Sequence, residues 1–229
     1  GLSKKRILLL TDFHRGSYRV IGELYYQMLS DIHKVEHLPT PQGYEERKTL
    51  VEYFNPEIVL HNTLGEGFVP LEGCHNIALP HHEWSEYPGP WIDLLNEFDE
   101  IWTTTEHVRR VLERGSLQKP AFVLPPSLDQ ENFVPKDDWK IEGKPSFLFV
   151  GEPHFRKGNH LLIHGYLKAF PNPGQACLTI KTSPDCPWDS PREDVTIIKE
   201  GWDRQRLLSE YHRHDCFASA SLGEGLGLP

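Results

Sequence analysis

The chain has 229 residues, of which 38% are hydrophobic and 25% charged, and its formal net charge is -9. That length suits one large domain or two small ones and is enough to bury a core. The acidic balance argues against a general nucleic-acid binder while leaving room for a local phosphate site, and no apolar run reaches the roughly 18 residues of a membrane-spanning helix.

In chain order, Lys5 to Asp12 is a short apolar run bounded by polar residues and reads as a buried strand. Its basic start and four or five apolar residues are too short for a secretory segment. Ser17 to Ser30 follows with Val20, Ile21, Leu24, Met28 and Leu29 at helical spacing. Lys34 to Leu38 alternates as a second strand, Tyr44 to Phe54 is helical, and Pro56 to His61 is a third strand. Asn76 to Leu79 is a fourth strand, and Trp91 to Phe98 is a short helix behind Pro90, a favoured first-turn residue. Glu100 to Thr104 is a fifth strand, Glu106 to Glu113 a helix ended by Gly115, and Ala121 to Leu124 a sixth strand. Short apolar strands alternating with helices predict an α/β fold with parallel sheets covered on both faces.

One layered domain is therefore expected over 1–134. A polar stretch with two prolines and a glycine, 135–145, reads as a linker. A second alternation then begins at Ser146 to Gly151. It continues with a helix from Gly158 to Phe170, strands at Ala176 to Lys181 and Val195 to Lys199, a helix from Arg204 to Tyr211, and a strand from Cys216 to Ala220. The second domain, 146–229, is expected to be incomplete, with four strands, because it halts at a strand-to-helix corner.

Ligands of open α/β sheets bind beyond the carboxyl ends of the strands. Phe13 to Ser17 places Gly16 at a helix start, where N–H groups are free, although no GxGxxG is present. Pro80 to Trp84 sets His81, His82 and Glu83 in a row, a group suited to acid/base or sugar-binding work, or to capping backbone. Gly151 to Gly158 brings Arg156 and Lys157 to a helix amino end, the composition of a phosphate site or of a solvated charge pair. Lys181 to Pro184 could edge a nucleoside pocket and reads first as a surface loop. Ser221 to Pro229, SLGEGLGLP, sets three glycines around Glu224, so backbone N–H groups and one carboxylate can face a ligand's hydroxyls; a plain helix-entry turn has the same glycine spacing. The four cysteines form no C-x-x-C pair, and His160 and His164 lack the HExxH carboxylate, so no metal is indicated and a reduced, cytoplasmic setting is the simplest reading.

Four segments in this order resemble the GT-B glycosyltransferases of family 4, the large retaining group. FDEIWTTT from Phe98 resembles the family's D-E-I-W-x-x-S strand, and VLPPSLDQENFVP resembles its crossover, with Asp129 and Phe133 in place. FVGEPHFRKGNHLLIHGY is similar to the F-V-G…R-K-G-x-x-x-L-L segment, and DCFASASLGEGLGLP to D-x-F-V-x-x-S-x-x-E-G-x-G-L-P. The resemblance implies two facing Rossmann-like domains with a nucleotide-sugar donor (UDP-, GDP- or ADP-linked) in the cleft. It implies that Lys157, helped by Arg156, holds the diphosphate beside Gly151, with Gly16 against it from the other domain. It further implies that Glu224 and the N–H groups of Gly225 and Gly227 hold the sugar, that His81, with His82 as its fallback, lies near sugar and acceptor, and that Glu83 supports. Transfer would retain configuration without a metal or other cofactor.

Glu152 stands where many relatives carry arginine, and the second glutamate of the family's E-x7-E signature would fall beyond Pro229. The resemblance therefore implies a chain cut through its donor-sugar loop, weakly active or inactive, with self-association through the exposed second domain. The acceptor (glycan, lipid or small molecule) is open. Relatives often act on lipid or cell-surface glycans, so a peripheral membrane location stays open too, although no amphipathic basic helix supports one. A non-catalytic acceptor- or partner-binding module on the same scaffold is the alternative.

Overall fold

A computed structural model of the chain describes residues 3–128, 133–137 and 140–229; Asp129 lies outside the described residues, as do two positions of the 135–145 stretch. The chain forms two compact units, Gly1–Leu128 with Glu224–Leu228, and Asp129–Gly223 with Pro229.

The first unit contains β1 (Arg6–Thr11), α1 (Gly16–Ser30), β2 (Lys34–Pro39), α2 (Tyr44–Phe54), β3 (Ile58–Asn62), β4 (His75–Ala78), α3 (Gly89–Leu95), β5 (Glu100–Thr103), α4 (Glu106–Arg114) and β6 (Ala121–Val123). All strands pair in parallel, in the order β2-β1-β3-β4-β5-β6. Strand β1 is buried along all but its first residue, as a parallel strand with both faces covered must be. Its side chains alternate between two cores. Leu9 packs with Ile21, Tyr25 and Leu29 of α1, whereas Leu8 and Leu10 pack with Val59 and the Leu50, Val51 and Phe54 face of α2. Each of these leucines contributes ~2 kcal/mol through burial. The α1 face is rotated from its expected position: Val20 is 40% exposed, and Tyr18, Gly22 and Tyr25 take the inward places with Ile21, Leu24 and Leu29. Gly22 is required there, because a Cβ would lie 2.5 Å from Thr11 Oγ1. Helix α3 starts at Gly89, two residues before Trp91, because Pro90 sits inside its first turn.

The second unit contains β7 (Ser146–Val150), α5 (Asn159–Ala169), β8 (Cys177–Thr182), β9 (Val195–Lys199), α6 (Arg204–Arg213) and β10 (Cys216–Phe217), with parallel strands in the order β10-β7-β8-β9. Strand β10 is shorter than its apolar run because the chain leaves the ladder after Ala218 N–H bonds Leu148 O, at 2.9 Å, and turns toward Gly158. The Ser183–Glu193 loop is clasped to the unit by Asp194. Its carboxylate accepts from Arg192 Nε at 2.6 Å, Arg192 Nη2 at 2.8 Å and Tyr166 Oη at 3.0 Å, and Arg192 also donates to the Phe170 carbonyl at the end of α5. These bonds hold the Asp194 carboxyl at about 2, below the usual carboxylate range. Among the described residues, no helix is long and apolar enough to cross a membrane.

His61, on β3, is a titratable side chain inside the first core. Asn76 donates its amide to the Leu71 carbonyl at 2.8 Å, so its Oδ1 accepts, and His61 donates Nε2–H to it at 2.9 Å. The ring meets Phe98 edge-on, and Nδ1 is enclosed without a partner among the described residues. Burial lowers its pKa to about 4. An unfolded histidine titrates near ~6.5, so between the two values the unfolded chain binds more protons, and stability present near neutral pH is lost as pH falls. From pH 7 to pH 5 His61 is expected to cost the first unit on the order of 2 kcal/mol. Urea unfolding at the two pH values measures this, and His61→Leu should remove that component, since Asn76 Oδ1 keeps the Leu71 N–H. An unchanged pH slope in the variant would show that His61 is not the responsible group.

Candidate functional site

The strand order of the first sheet reverses between β1 and β3, so the loops leaving these strands diverge and open its carboxyl edge. Asn62, the last residue of β3, organises this edge. Its Nδ2 donates to the Tyr18 carbonyl in α1 at 2.9 Å and to Thr11 Oγ1 at the end of β1 at 3.3 Å. Its Oδ1 is therefore an acceptor, and His81, after β4, donates Nε2–H to it at 2.8 Å. The His81 lone pair is thus on Nδ1. The ring stacks at a tilt on Tyr18, centroids 4.9 Å apart, and burial pushes its pKa down to about 3. His81 is neutral at physiological pH and a weak proton acceptor; it is suited to hydrogen-bonding a hydroxyl.

His82 faces away from this pair. Its Nε2 bonds the Glu86 carbonyl, and its ring meets Tyr87 edge-on at 5.0 Å. The histidines of the His81-His82-Glu83 row thus have separate tasks, one at the edge and one fastening its own loop. Asp12, after β1, accepts from Thr63 Oγ1 at 2.8 Å and pairs with Arg15 at 3.7 Å. Among the described residues, nothing lies within 4 Å of the Gly16 Cβ position at the opening of α1, and no side chain caps that helix start.

Glu224–Leu228 belong to this first unit. Thr105, which caps α4, donates its hydroxyl to the Gly225 carbonyl at 3.0 Å, and a Cβ on Gly225 would lie 3.2 Å from the His82 carbonyl. Leu226 and Leu228 pack against the core that contains Leu9 and Tyr25. Gly227 has φ +73°, a value that favours glycine. Glu224 is half-buried. The structure therefore brings the Gly225 backbone to the loop of His82.

In the second unit the sequence-predicted residues Gly151, Arg156 and Lys157 lie together after β7. A 3-10 turn, Phe155–Lys157, is capped by His154, whose Nδ1 accepts from the Arg156 N–H at 3.2 Å. The Gly151 N–H bonds the Lys181 carbonyl, and the Lys157 side chain lies 3.7 Å from where a Gly151 Cβ would be. Gly158, at φ +66°, opens α5 against the chain leaving β10, and a Cβ there would meet the Ala220 carbonyl oxygen at 1.9 Å. This contact admits two further bonds between the loops. Leu222 N–H donates to the Arg156 carbonyl at 2.7 Å, and Arg156 Nη1 donates to the Gly223 carbonyl at 2.6 Å. The Lys181–Pro184 corner is closed on itself by the Ser183 hydroxyl to Asp185. Among the described residues, no group of three or more His, Cys, Asp or Glu is arranged to hold a metal.

Asn62, Tyr18 and Thr105 were not singled out by sequence reasoning. Asn62 carried a signal, a polar residue closing the buried run Val59-Leu60, which has no apolar role at a sheet edge.

No protein-family model matches the chain, and no curated protein matches it in sequence. Solved structures do match in fold. A glycosyltransferase from Rickettsia africae superposes with a TM-score of 0.67 at 12% identity, covering 96% of this chain and 74% of that one. An alpha-glucosyltransferase solved with UDP and a DNA 13-mer gives 0.62 at 11% identity, over 95% and 72%. The pneumococcal O-GlcNAc transferase solved with UDP and GlcNAc gives 0.56 at 16% identity, over 80% and 41%, so this chain spans less than half of that protein. The likeness shows the fold, an α/β architecture of two parallel sheets shared with GT-B glycosyltransferases.

Gly158→Ala is expected to destabilise the second unit by at least ~2 kcal/mol, from the left-handed backbone and the carbonyl contact together. Chemical denaturation followed by hydrogen exchange of the second unit's amides reads this out, and a variant as stable as the parent would overturn the close approach.

Proposed function

We propose that the chain transfers a sugar from a nucleotide-sugar donor, with retention of configuration, in the manner of GT-B glycosyltransferases of family 4. The observation that carries this reading is the convergence, within the second unit, of the Arg156-Lys157 turn and the Ser221–Gly223 segment at the start of α5. Two cations beside a helix amino end suit a diphosphate. The loop stitched to them leads into Glu224, the residue that the family resemblance assigns to the sugar. The fold neighbours solved with UDP are in keeping with a nucleotide donor.

In this reading Lys157, Arg156 and the α5 amino end stabilise the charge that builds on the departing diphosphate, with Gly151 and Gly158 letting the backbone come close. Gly16 takes the corresponding place at the start of α1. The bond from the anomeric carbon to the phosphate oxygen breaks as the acceptor oxygen bonds the same face, and the acceptor proton passes to that phosphate oxygen. Glu224 and the N–H groups of Gly225 and Gly227 hold the sugar hydroxyls. His81 is assigned a hydrogen bond through Nδ1 rather than proton transfer, because burial holds it neutral and Asn62 occupies Nε2. Glu83 and His82 shape the acceptor-side loop. No metal is invoked in this reading, in which Lys157, Arg156 and the helix N–H groups would face the phosphates.

Titration calorimetry with UDP-, GDP- and ADP-sugars tests the donor site directly. One donor should bind saturably, and Lys157→Ala should weaken it by at least ~10-fold, the value of a charge-assisted hydrogen bond. Absence of binding by all three, or an unaffected variant, would sink the donor reading and leave the non-catalytic binding module.

A further inference from the structure

Tyr18 is held in place by more contacts than its own packing requires, yet its hydroxyl has no task. Its carbonyl is fixed by Asn62 Nδ2, its ring lies on His81, and the Arg15 guanidinium sits 5.9 Å from the ring centroid. Only 9% of the residue is exposed. Among the described residues, its phenol oxygen makes no hydrogen bond, and it is not one of the enclosed oxygens, unlike Tyr87 Oη, which is enclosed and also unpartnered. Buried tyrosines usually find a partner for the hydroxyl. A rigid, largely buried ring with an unbonded hydroxyl at a sheet's carboxyl edge is therefore a donor waiting for an acceptor atom.

The surroundings indicate what kind of ligand supplies it. Burial, and then the Glu83 carboxylate, hold the Tyr18 phenol well above its ordinary pKa, so it stays a neutral donor. The Arg15 guanidinium beside the ring pairs with Asp12 at 3.7 Å, so its charge is already met. A cation so matched gives an added anion little to bind. His81 next to it is neutral and offers a lone pair. A neutral donor, a neutral acceptor and aromatic faces together suit a ring that carries hydroxyls.

We propose that the Tyr18 hydroxyl is a specificity-determining contact for the acceptor, and that the group bound there is an uncharged pyranose. This rests on the reading that the first unit takes the acceptor of a sugar transfer, and it adds the acceptor's chemical class and the residue that selects it.

The test uses the full chain, with and without UDP, titrated by saturation-transfer NMR against methyl glucoside, mannoside, galactoside and N-acetylglucosaminide, with glucuronate and glucose 6-phosphate as charged arms. At least one neutral pyranoside should bind, and Tyr18→Phe should weaken it about five- to tenfold, as for one lost hydrogen bond. The same variant should keep its melting temperature and its nucleotide affinity, neither of which depends on an unbonded hydroxyl. Failure of every neutral pyranoside to bind overturns the proposal, as do tighter binding of the charged sugars and a variant that binds as well as the parent. A lowered melting temperature in Tyr18→Phe also overturns it, because the hydroxyl would then be structural. Donor binding through Lys157 is read separately, so loss of the saccharide result with the nucleotide result intact disproves only the acceptor assignment.

Discussion

A single buried amide sets the geometry of the first unit's edge. Asn62 touches four parts of the chain at once: its own strand, Thr11 at the end of β1, Tyr18 at the start of α1, and His81 beyond β4. An unmet buried donor or acceptor costs ~1–3 kcal/mol, so the three partners are selected together. The direction of the amide is not arbitrary. A backbone carbonyl can only accept, so Nδ2 must face Tyr18 and Oδ1 must face His81. One carbonyl therefore fixes the protonated nitrogen of a histidine on a different element, and burial then keeps that histidine neutral.

The second unit solves a comparable problem with backbone rather than side chain. The loop after β7 and the loop after β10 approach so closely at Gly158 that no Cβ can stand between them. That approach lets Leu222 and Gly223 bond the main chain and guanidinium of Arg156. Part of the Arg156 donor capacity is thus committed to a carbonyl, which orders the loop. The same commitment fixes the turn that carries its neighbour Lys157. A glycine with positive φ is what the close approach requires, and its place after a basic pair is a consequence of the fold as much as of ligand chemistry.

The sequence was most legible where burial is uniform. The strands Arg6–Thr11 and Val195–Lys199 and the helices Tyr44–Phe54 and Glu106–Arg114 follow from apolar runs, helical spacing and capping residues, because these signals are local. The face of α1 was less legible: Val20 and Tyr25 are both apolar at compatible spacing, and which one turns inward depends on Thr11 and the neighbouring strands. The end of β10 depended on a partner as well, since Ala218 to Ala220 could continue a strand but are drawn toward Gly158. In the site, the basic pair and the glycine-rich loop stand out by composition. Asn62 and Tyr18 do not, because their role comes from meeting residues 44 and 19 positions away, and nothing within their own segments records that.

The two edges also differ in how they use charge. In the first unit Arg15 pairs with Asp12, which also accepts from Thr63, and His81 is uncharged. In the second unit the turn after β7 sets two cations side by side at a helix amino end. With a net charge of -9 over the chain, two adjacent cations run against the average field and need a local reason. Under the proposed function, anion recognition supplies that reason at the second edge. At the first edge, where the Arg15 charge is met by Asp12, the proposed acceptor site would discriminate through the direction of hydrogen bonds and through shape. A polar site built from neutral, rigidly oriented donors and acceptors tells hydroxyl patterns apart because each unmet bond there is costly, whereas a point charge would accept any ligand of opposite sign.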